Sequence, residues 1–269
     1  MIVWLFVPGD QGARIPKALG TSAERVIVDW EDAVAPGRKD AARASTEEIL
    51  PSLDDRERVI LRINPADSSE HAADVEAARR IRPGAVMVAK TQGPEDLSAL
   101  AGSGIGVVPL VESALGIERA FAIASAPGVT DLAFGTIDFL ADIGAPHSRE
   151  SLLHARSRLV IAARAAKLRS LLDGPMLSID DEAALIAEAA HARALGFDGK
   201  LAIHPRQVEQ LHRHFRPSAT EIADAREVVR VYREALQNGK GAVRLGDRMI
   251  DGAVAKQAER ILAASVTRD

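Results

Sequence analysis

Residues 106–138 read GVVPLVESALGIERAFAIASAPGVTDLAFGTID, and their pattern decides the fold. An apolar run, Gly106–Val111, stops at Glu112 and Ser113. A helical stretch follows at Ile117–Ala124. A second apolar run, Asp131–Phe134, gives way to Gly135-Thr136 and then Asp138. Short runs that are apolar on both faces belong to buried parallel strands, and the longer stretch between them is the crossover helix.

The same alternation runs along the chain in both directions. Strands are expected at Val3–Val7, Arg25–Trp30, Arg58–Ile63, Ala85–Ala89, Gly106–Val111, Asp131–Phe134, Leu168–Leu172 and Lys200–Ile203. Helices are expected at Pro16–Leu19, Lys39–Leu50, Asp74–Ile81, Pro94–Ala101, Ile117–Ala124, Leu152–Lys167 and Asp181–Leu195. The period is clearest in Leu152–Lys167, where Leu152, Leu159, Val160 and Ala163 share one side. Gly196 is placed to end the Asp181–Leu195 helix as a C′ glycine. Eight strands with helices between them predict a closed parallel (β/α)8 barrel. The rival is an open doubly wound sheet, which would carry a GxGxxG turn after its first strand. Gly9-Asp10-Gln11-Gly12 is not such a turn.

More chain follows the eighth strand than a barrel needs. Helical patterns run over Gln207–His214, Ala219–Leu236 and Val254–Ala264, with a break at Gly239–Gly241. Residues 1–217 are therefore assigned to the barrel. Residues 218–269 are assigned to a C-terminal segment expected to cover a barrel mouth, on this chain or on a neighbour.

The bulk composition narrows the function classes. The chain has 269 residues, a net charge of −4, 47% hydrophobic residues, only 3% aromatics and no cysteine. Nothing here marks a nucleic-acid partner, which would favour a basic stripe with interleaved aromatics. Without cysteine there is no disulfide, thiolate metal site or thiol nucleophile. The run Ile2–Val7 is too short for a signal sequence, and no apolar stretch approaches the ~20 residues of a membrane span. A soluble, cytoplasmic protein is expected. The seven histidines form no zinc pattern, and no GxSxG motif supports a serine hydrolase.

In a barrel the reacting groups sit at the C-terminal ends of the strands. Polar residues recur there: Asp29, Glu31 and Asp32; Arg62 and Asn64; Lys90 and Gln92; Glu112 and Ser113; Asp138; Lys200 and His204. Glu112 and Asp138 each follow an apolar strand end, where a carboxylate is costly to bury without a partner. They can share Mg²⁺, which takes one or two protein carboxylates and completes its octahedron with water and substrate. Alternatively, each caps the helix that follows it. Arg62 can hold a substrate carboxylate bidentately, or form a structural ion pair with Asp29 or Glu31. Asp29, Glu31 and Asp32 repel one another and need nearby cations, with Arg62, Lys39 and a bound metal as candidates, unless they form a charged surface turn. Lys90 reads as a substrate-binding or ion-pairing group, and His204 as a packed, hydrogen-bonded histidine.

The chain also carries a series of ordered motifs. They are Leu5-Phe6-Val7-Pro8-Gly9-Asp10, Asp29-Trp30-Glu31-Asp32-Ala33-Val34 with Lys39, Leu61-Arg62-Ile63-Asn64-Pro65, Val111-Glu112-Ser113-Ala114-Leu115-Gly116 and Phe134-Gly135-Thr136-Ile137-Asp138. Ala155-Arg156-Ser157-Arg158, Gly196 through Pro205, and Arg248-Met249-Ile250-Asp251 complete the set. In this order the motifs resemble the HpcH/HpaI aldolase and citrate lyase β-subunit superfamily, in its citrate lyase β-like branch.

The resemblance implies a Mg²⁺-dependent carbon–carbon lyase acting on a small hydroxyacyl-CoA, such as citryl-CoA or malyl-CoA, to give an oxo-acid and acetyl-CoA. It implies Mg²⁺ on Glu112 and Asp138, a carboxylate grip by Arg62, substrate contacts near Glu31, Asp32 and Lys90, and Asp251 as the catalytic base. It implies a homo-oligomer, a trimer or hexamer. A malyl-CoA thioesterase, a CoA-free aldolase and a citrate lyase β-subunit working beside an acyl carrier protein are the alternatives it leaves. The long tail argues against the CoA-free aldolase. Two positions depart from the family pattern: Gln11 stands where Arg often follows Pro-Gly-Asp, and Trp30 replaces a more usual Leu.

Overall fold

A computed structural model of the chain describes residues 2–215 and 217–265. The chain divides into two compact units, Ile2–His212 and Arg213–Asp269.

The first unit is built on eight strands: β1 (Ile2–Pro8), β2 (Arg25–Asp29), β3 (Val59–Ile63), β4 (Ala85–Val88), β5 (Gly106–Val111), β6 (Asp131–Phe134), β7 (Ser170–Asp173) and β8 (Gly199–Ala202). They pair in parallel in chain order, and β1 closes on β8 with Ile2 opposite Gly199 and Leu5 opposite Ala202. The expected barrel is therefore present. Its helices are α1 (Ile15–Leu19), α2 (Lys39–Ile49), α3 (His71–Ile81), α4 (Ala114–Glu118), α5 (Ala120–Ala124), α6 (Thr136–Ile143), α7 (Arg149–Ala165), α8 (Glu182–Leu195) and α9 (Pro205–Phe215). Among the described residues, no helix is long and apolar enough to cross a membrane.

Side chains alternate across each strand, so every second residue points into the barrel. The interior is filled by Trp4, Ile27, Ile60, Met87, Leu110 and Leu201 with their neighbours. Each large apolar side chain so buried contributes about 1.5–3 kcal/mol. The other face of each strand packs under the helices.

That parity places a buried charge cluster outside the barrel. Asp173 on β7 and Lys200 on β8 alternate with the inward Leu172 and Leu201, so both face the helices. There Arg156 of α7 makes two 3.0 Å bonds to Asp173, Lys200 Nζ donates to Asp173 at 2.6 Å, and Arg156 also reaches Glu188 at 2.9 Å. Burial alone would raise the Asp173 pKa, but Lys200 and Arg156 outweigh it and hold the carboxyl below its ordinary value. Lys200, expected at the mouth, is thus a structural residue.

Several element boundaries differ from expectation for local reasons. Helix α7 starts at Arg149 because the Ser148 side chain accepts from the Ser151 amide at 3.1 Å, capping it. Lys167 turns left-handed at φ 58°, and the Leu168 amide bonds back to the Ala163 carbonyl at 3.0 Å. This closure of the helix end delays β7 to Ser170. The expected helix over Ile117–Ala124 is two short helices that meet at Arg119, and Pro94–Leu100 is a 3-10 helix. Gly196 does end α8, at φ 109°, a conformation that suits glycine.

The second unit holds α10 (Ala219–Gln237), β9 (Val243–Leu245), β10 (Arg248–Ile250) and α11 (Gly252–Ser265). Its small core joins Ala225, Val228 and Val229 of α10 to Ile250 and to Ala258 of α11. The antiparallel β9–β10 hairpin was not expected from the sequence. Its strands have three residues each, too short for a period-2 pattern to register.

Candidate functional site

One step past the filled interior, the inward positions turn polar. Asp29 lies two residues beyond Ile27, Arg62 two beyond Ile60, and Glu112 two beyond Leu110. By the same count Gly135 follows Ala133 and Ile203 follows Leu201. All five line one cavity of about 390 Å³, together with Phe6, Asp32, Thr136 and Asp138. A neighbouring cavity of about 330 Å³ is lined by Lys90, Gln92 and Ser113 and shares Glu112 and Asp138. The two carboxylates therefore stand between the two spaces.

On one side of the mouth lies a tight ion-pair network. Arg62 Nε and Nη2 bond to Asp29 Oδ1 and Oδ2 at 2.7 and 2.5 Å, and Nη1 lies 3.1 Å from Glu31 Oε2. Lys90 Nζ reaches the other Glu31 oxygen at 2.5 Å and Asp32 at 3.3 Å. Burial works to lower the Arg62 pKa, but Asp29, Glu31 and Glu112 outweigh it and raise it above its ordinary value. The guanidinium also sits 4.9 Å from the centre of the Phe6 ring, a favourable cation–π placement. The structural ion pair weighed for Arg62 is therefore real. A guanidinium has five N–H groups, and the three bonds or contacts above leave capacity toward the cavity that Arg62 lines.

The loop carrying these acids is held from behind. Lys39 Nζ donates to the Trp30 and Glu31 carbonyls at 2.8 and 2.7 Å, Asn64 Nδ2 donates to the Trp30 carbonyl at 3.1 Å, and Trp30 Nε1 donates to Thr46 at 3.0 Å. Lys39 thus binds backbone rather than the carboxylates it was matched with. Glu31 lines neither cavity. Its place is between Arg62 and Lys90, and direct substrate contact from it is not part of the geometry.

The other side is the carboxylate pair. Glu112 is buried, and its Oε1 accepts from the Lys90 amide at 2.7 Å. Lys90 presents that amide from a left-handed conformation, φ 50°, a strained setting of the kind that persists at functional sites. Gly135 makes room for the acid, since a β-carbon there would collide with Glu112 Oε2 and lie 2.6 Å from its Cβ. Ser113, not Glu112, caps α4, accepting from the Gly116 amide at 3.1 Å. Asp138 is the third residue of α6 rather than its cap. The capping alternative therefore fails for both acids.

Burial and then Asp138 push the Glu112 carboxyl up to about 8, against the opposing pull of Arg62. Among the described residues, none donates a hydrogen bond to the Asp138 carboxylate. The Thr136 hydroxyl is buried in the same wall without a partner. Among the described residues, Asp29, Glu31, Asp32, Glu112 and Asp138 cluster with the cations Arg62, Lys90 and, behind the loop, Lys39. Five acids against three cations leave two negative charges when all are ionised. An excess of unpaired carboxylate with an idle hydroxyl fits a hard divalent cation. No group of three or more acidic or histidine ligands exists among the described residues, so water and substrate would complete the shell, as Mg²⁺ prefers.

The pH dependence follows from the raised Glu112 pKa. Below about 8 the acid holds a proton that a cation must displace. Mg²⁺ affinity is expected to fall roughly tenfold per pH unit in that range. Calorimetry at about pH 7 in buffers of different ionisation enthalpy should show about one proton released. For the metal-free protein, a raised acid stabilises the fold below the ordinary carboxylate value of 4.5, and that contribution is lost as pH rises through about 8. Its melting temperature should drop from about pH 6 to about pH 9, and Mg²⁺ should restore it.

Two further candidates are helix caps. The His204 ring accepts from the Arg206 amide at 3.2 Å, so it caps the start of α9. Asp251 Oδ1 accepts from the Ala253 and Val254 amides, both at 3.0 Å, capping α11 in the second unit. Thr136 and the buried Gln207 were missed. Thr136 sits beside Asp138 in a quoted motif, but only its missing partner distinguishes it.

Residues 3–205 match the model of the HpcH/HpaI aldolase/citrate lyase family. The citrate lyase subunit beta of Escherichia coli K12 is 34% identical over 96% of this chain and 91% of its own length. A (3S)-malyl-CoA thioesterase of Cereibacter sphaeroides is 32% identical over 96% of this chain and 92% of its own. Among solved structures, the CitE protein of Mycobacterium tuberculosis in complex with magnesium, acetoacetate and coenzyme A superposes with a TM-score of 0.88. It is 33% identical, with 98% of this chain and 97% of that one covered.

Proposed function

We propose that this chain, which belongs to the HpcH/HpaI aldolase/citrate lyase family, is a magnesium-dependent carbon–carbon lyase that cleaves or forms a small hydroxyacyl-CoA. The observation that carries this reading is the Glu112–Asp138 pair at the barrel mouth, one acid raised to about 8 and both open to the same cavity. Glu112 and Asp138 are the residues that hold the ion. Bound there, Mg²⁺ supplies Lewis acidity to the substrate oxygen at the reacting carbon.

The chain's own groups do the rest. Arg62 holds the carboxylate of the oxo-acid half, fixed in its aim by Asp29 and Glu31. Asp32 lines the same cavity as Arg62, and Lys90 lines the neighbouring one. In cleavage, the substrate hydroxyl gives its proton to solvent water and its oxygen becomes the new carbonyl. The electron pair of the broken C–C bond passes to the thioester enolate. Asp251 returns a proton to that carbon, so one proton leaves and one is gained. In condensation Asp251 removes a proton from the thioester methyl, the enolate carbon adds to the oxo-acid carbonyl carbon, and the former carbonyl oxygen takes a proton from solvent water. The assignment of Asp251 rests on its Met-Ile-Asp motif. Assembly as a homo-oligomer and residence in the cytoplasm belong to the same reading.

The test is the purified chain with Mg²⁺, acetyl-CoA or propionyl-CoA and a panel of oxo-acids, with products identified by mass spectrometry. Hydroxyacyl-CoA formation without any other subunit is the expected result. Release of free CoA with no oxo-acid exchange would mark a thioesterase. Activity only with an acyl carrier protein would mark a dependent subunit.

A further inference from the structure

Resting on that lyase reading, we infer that Lys90 is a positioning residue for the cation site. Its main-chain amide, held in a left-handed turn, aims Glu112, so Lys90 acts on Mg²⁺ binding through its backbone rather than its charge. The amide donates to Glu112 Oε1 at 2.7 Å, and among the described residues it is the one hydrogen-bond donor to that carboxylate. Oε2, which lies over Gly135 in the cavity wall, is left for the ion. The ammonium is engaged elsewhere, with Nζ 2.5 Å from Glu31 Oε1 and 3.3 Å from Asp32 Oδ1.

The amide has this aim because Lys90 stands at φ 50°, where a β-carbon crowds the following carbonyl oxygen. Its neighbours impose the turn. The Ala89 amide donates to the Ile63 carbonyl of β3 at 3.2 Å, and the Thr91 amide donates to the Leu110 carbonyl of β5 at 3.0 Å. The buried Thr91 hydroxyl donates to the Val88 carbonyl at 2.9 Å. Strand β5 ends at Val111, directly before Glu112. The bond that fixes the turn therefore also sets it against the strand that carries the acid.

Position 90 thus asks for an N–H and for tolerance of a positive φ. Glycine meets both demands, and asparagine enters the left-handed region more readily than most residues. Valine and threonine do not, because a branched β-carbon makes that region a genuine outlier. Strain from such a side chain is relieved by turning the peptide between Ala89 and Lys90, which carries the N–H away from Glu112. All four replacements remove the same positive charge, so the contrast between the two pairs reports the backbone alone. The Lys90 side chain is 39% exposed, so none of them disturbs a packed core.

The experiment titrates Mg²⁺ into the wild type, Lys90→Gly, Lys90→Asn, Lys90→Val and Lys90→Thr by calorimetry, without acyl-CoA, and checks each fold by thermal melting. Lys90→Gly and Lys90→Asn should bind Mg²⁺ at least as tightly as the wild type. Lys90→Val and Lys90→Thr should bind it about tenfold or more weakly than those two, because a branched residue resists the left-handed turn. Should Lys90→Val fail to fold, Lys90→Thr carries the comparison. Equal affinities in the two pairs overturn the inference, whether they match the wild type or all fall below it. A wild type that binds no Mg²⁺ removes the lyase reading and the inference with it, whereas wild-type binding with equal pairs removes the inference alone.

Discussion

Glu112→Gln is expected to remove Mg²⁺ binding and to cut turnover by about a thousandfold or more, while leaving the protein folded. The amide has nearly the same shape and still accepts from the Lys90 amide, so the 2.7 Å contact can persist. What disappears is one of the two anionic oxygens that a hard cation requires. The loss of Lewis acidity at the reacting oxygen removes several kcal/mol of transition-state stabilisation, which is the source of the thousandfold figure. The metal-free variant should melt at the same temperature as the wild type near neutral pH or higher, and should lose the wild type's decline toward pH 9. Burial raises the native acid to about 8, and glutamine has no charged form to disfavour. Calorimetry and thermal melts with and without Mg²⁺ read both effects. Intact Mg²⁺ affinity in the variant would falsify the metal assignment, and with it the lyase mechanism.

The second large effect is expected at Asp251. Asp251→Asn should lower kcat by about a hundredfold to ten-thousandfold, the usual range for a lost general acid or base. Mg²⁺ affinity should stay unchanged. Asparagine caps helices about as well as aspartate, so the bonds to the Ala253 and Val254 amides can be kept and the fold should survive. A direct readout is exchange of the thioester methyl protons of acetyl-CoA with deuterated water. Exchange should be present in the wild type and absent in the variant. If Asp251→Asn exchanges those protons at the wild-type rate, another group is the base.

Local chemistry reveals only part of this site. Glu112 and Asp138 could be singled out because a carboxylate directly after an apolar strand is costly to bury, whatever the rest of the chain does. Arg62 was legible as either a substrate grip or a partner of Asp29 and Glu31, and the structure shows the ion pairs while leaving it in the cavity wall. Glu31 and Lys90 could not be separated by sequence. Both looked like mouth residues, but Glu31 is enclosed between two cations while Lys90 also offers its amide to Glu112. That second role depends on a positive φ at Lys90, and nothing in a lysine's identity announces such a turn. Lys200 was misplaced for a simpler reason: a slip of one residue moves a strand side chain to the opposite face.

The sequence by itself determined the barrel, because eight apolar runs separated by helical stretches leave few other ways to bury both faces of every strand. It also determined which acids needed a partner. Only the tertiary structure decided which side chains share a space. Register around the closed sheet brings Asp29, Arg62 and Glu112 from three strands to one cavity and lets Gly135 clear room for a carboxylate. Those neighbours lie far apart along the chain, and their meeting is fixed by packing and strand alignment rather than by any local pattern.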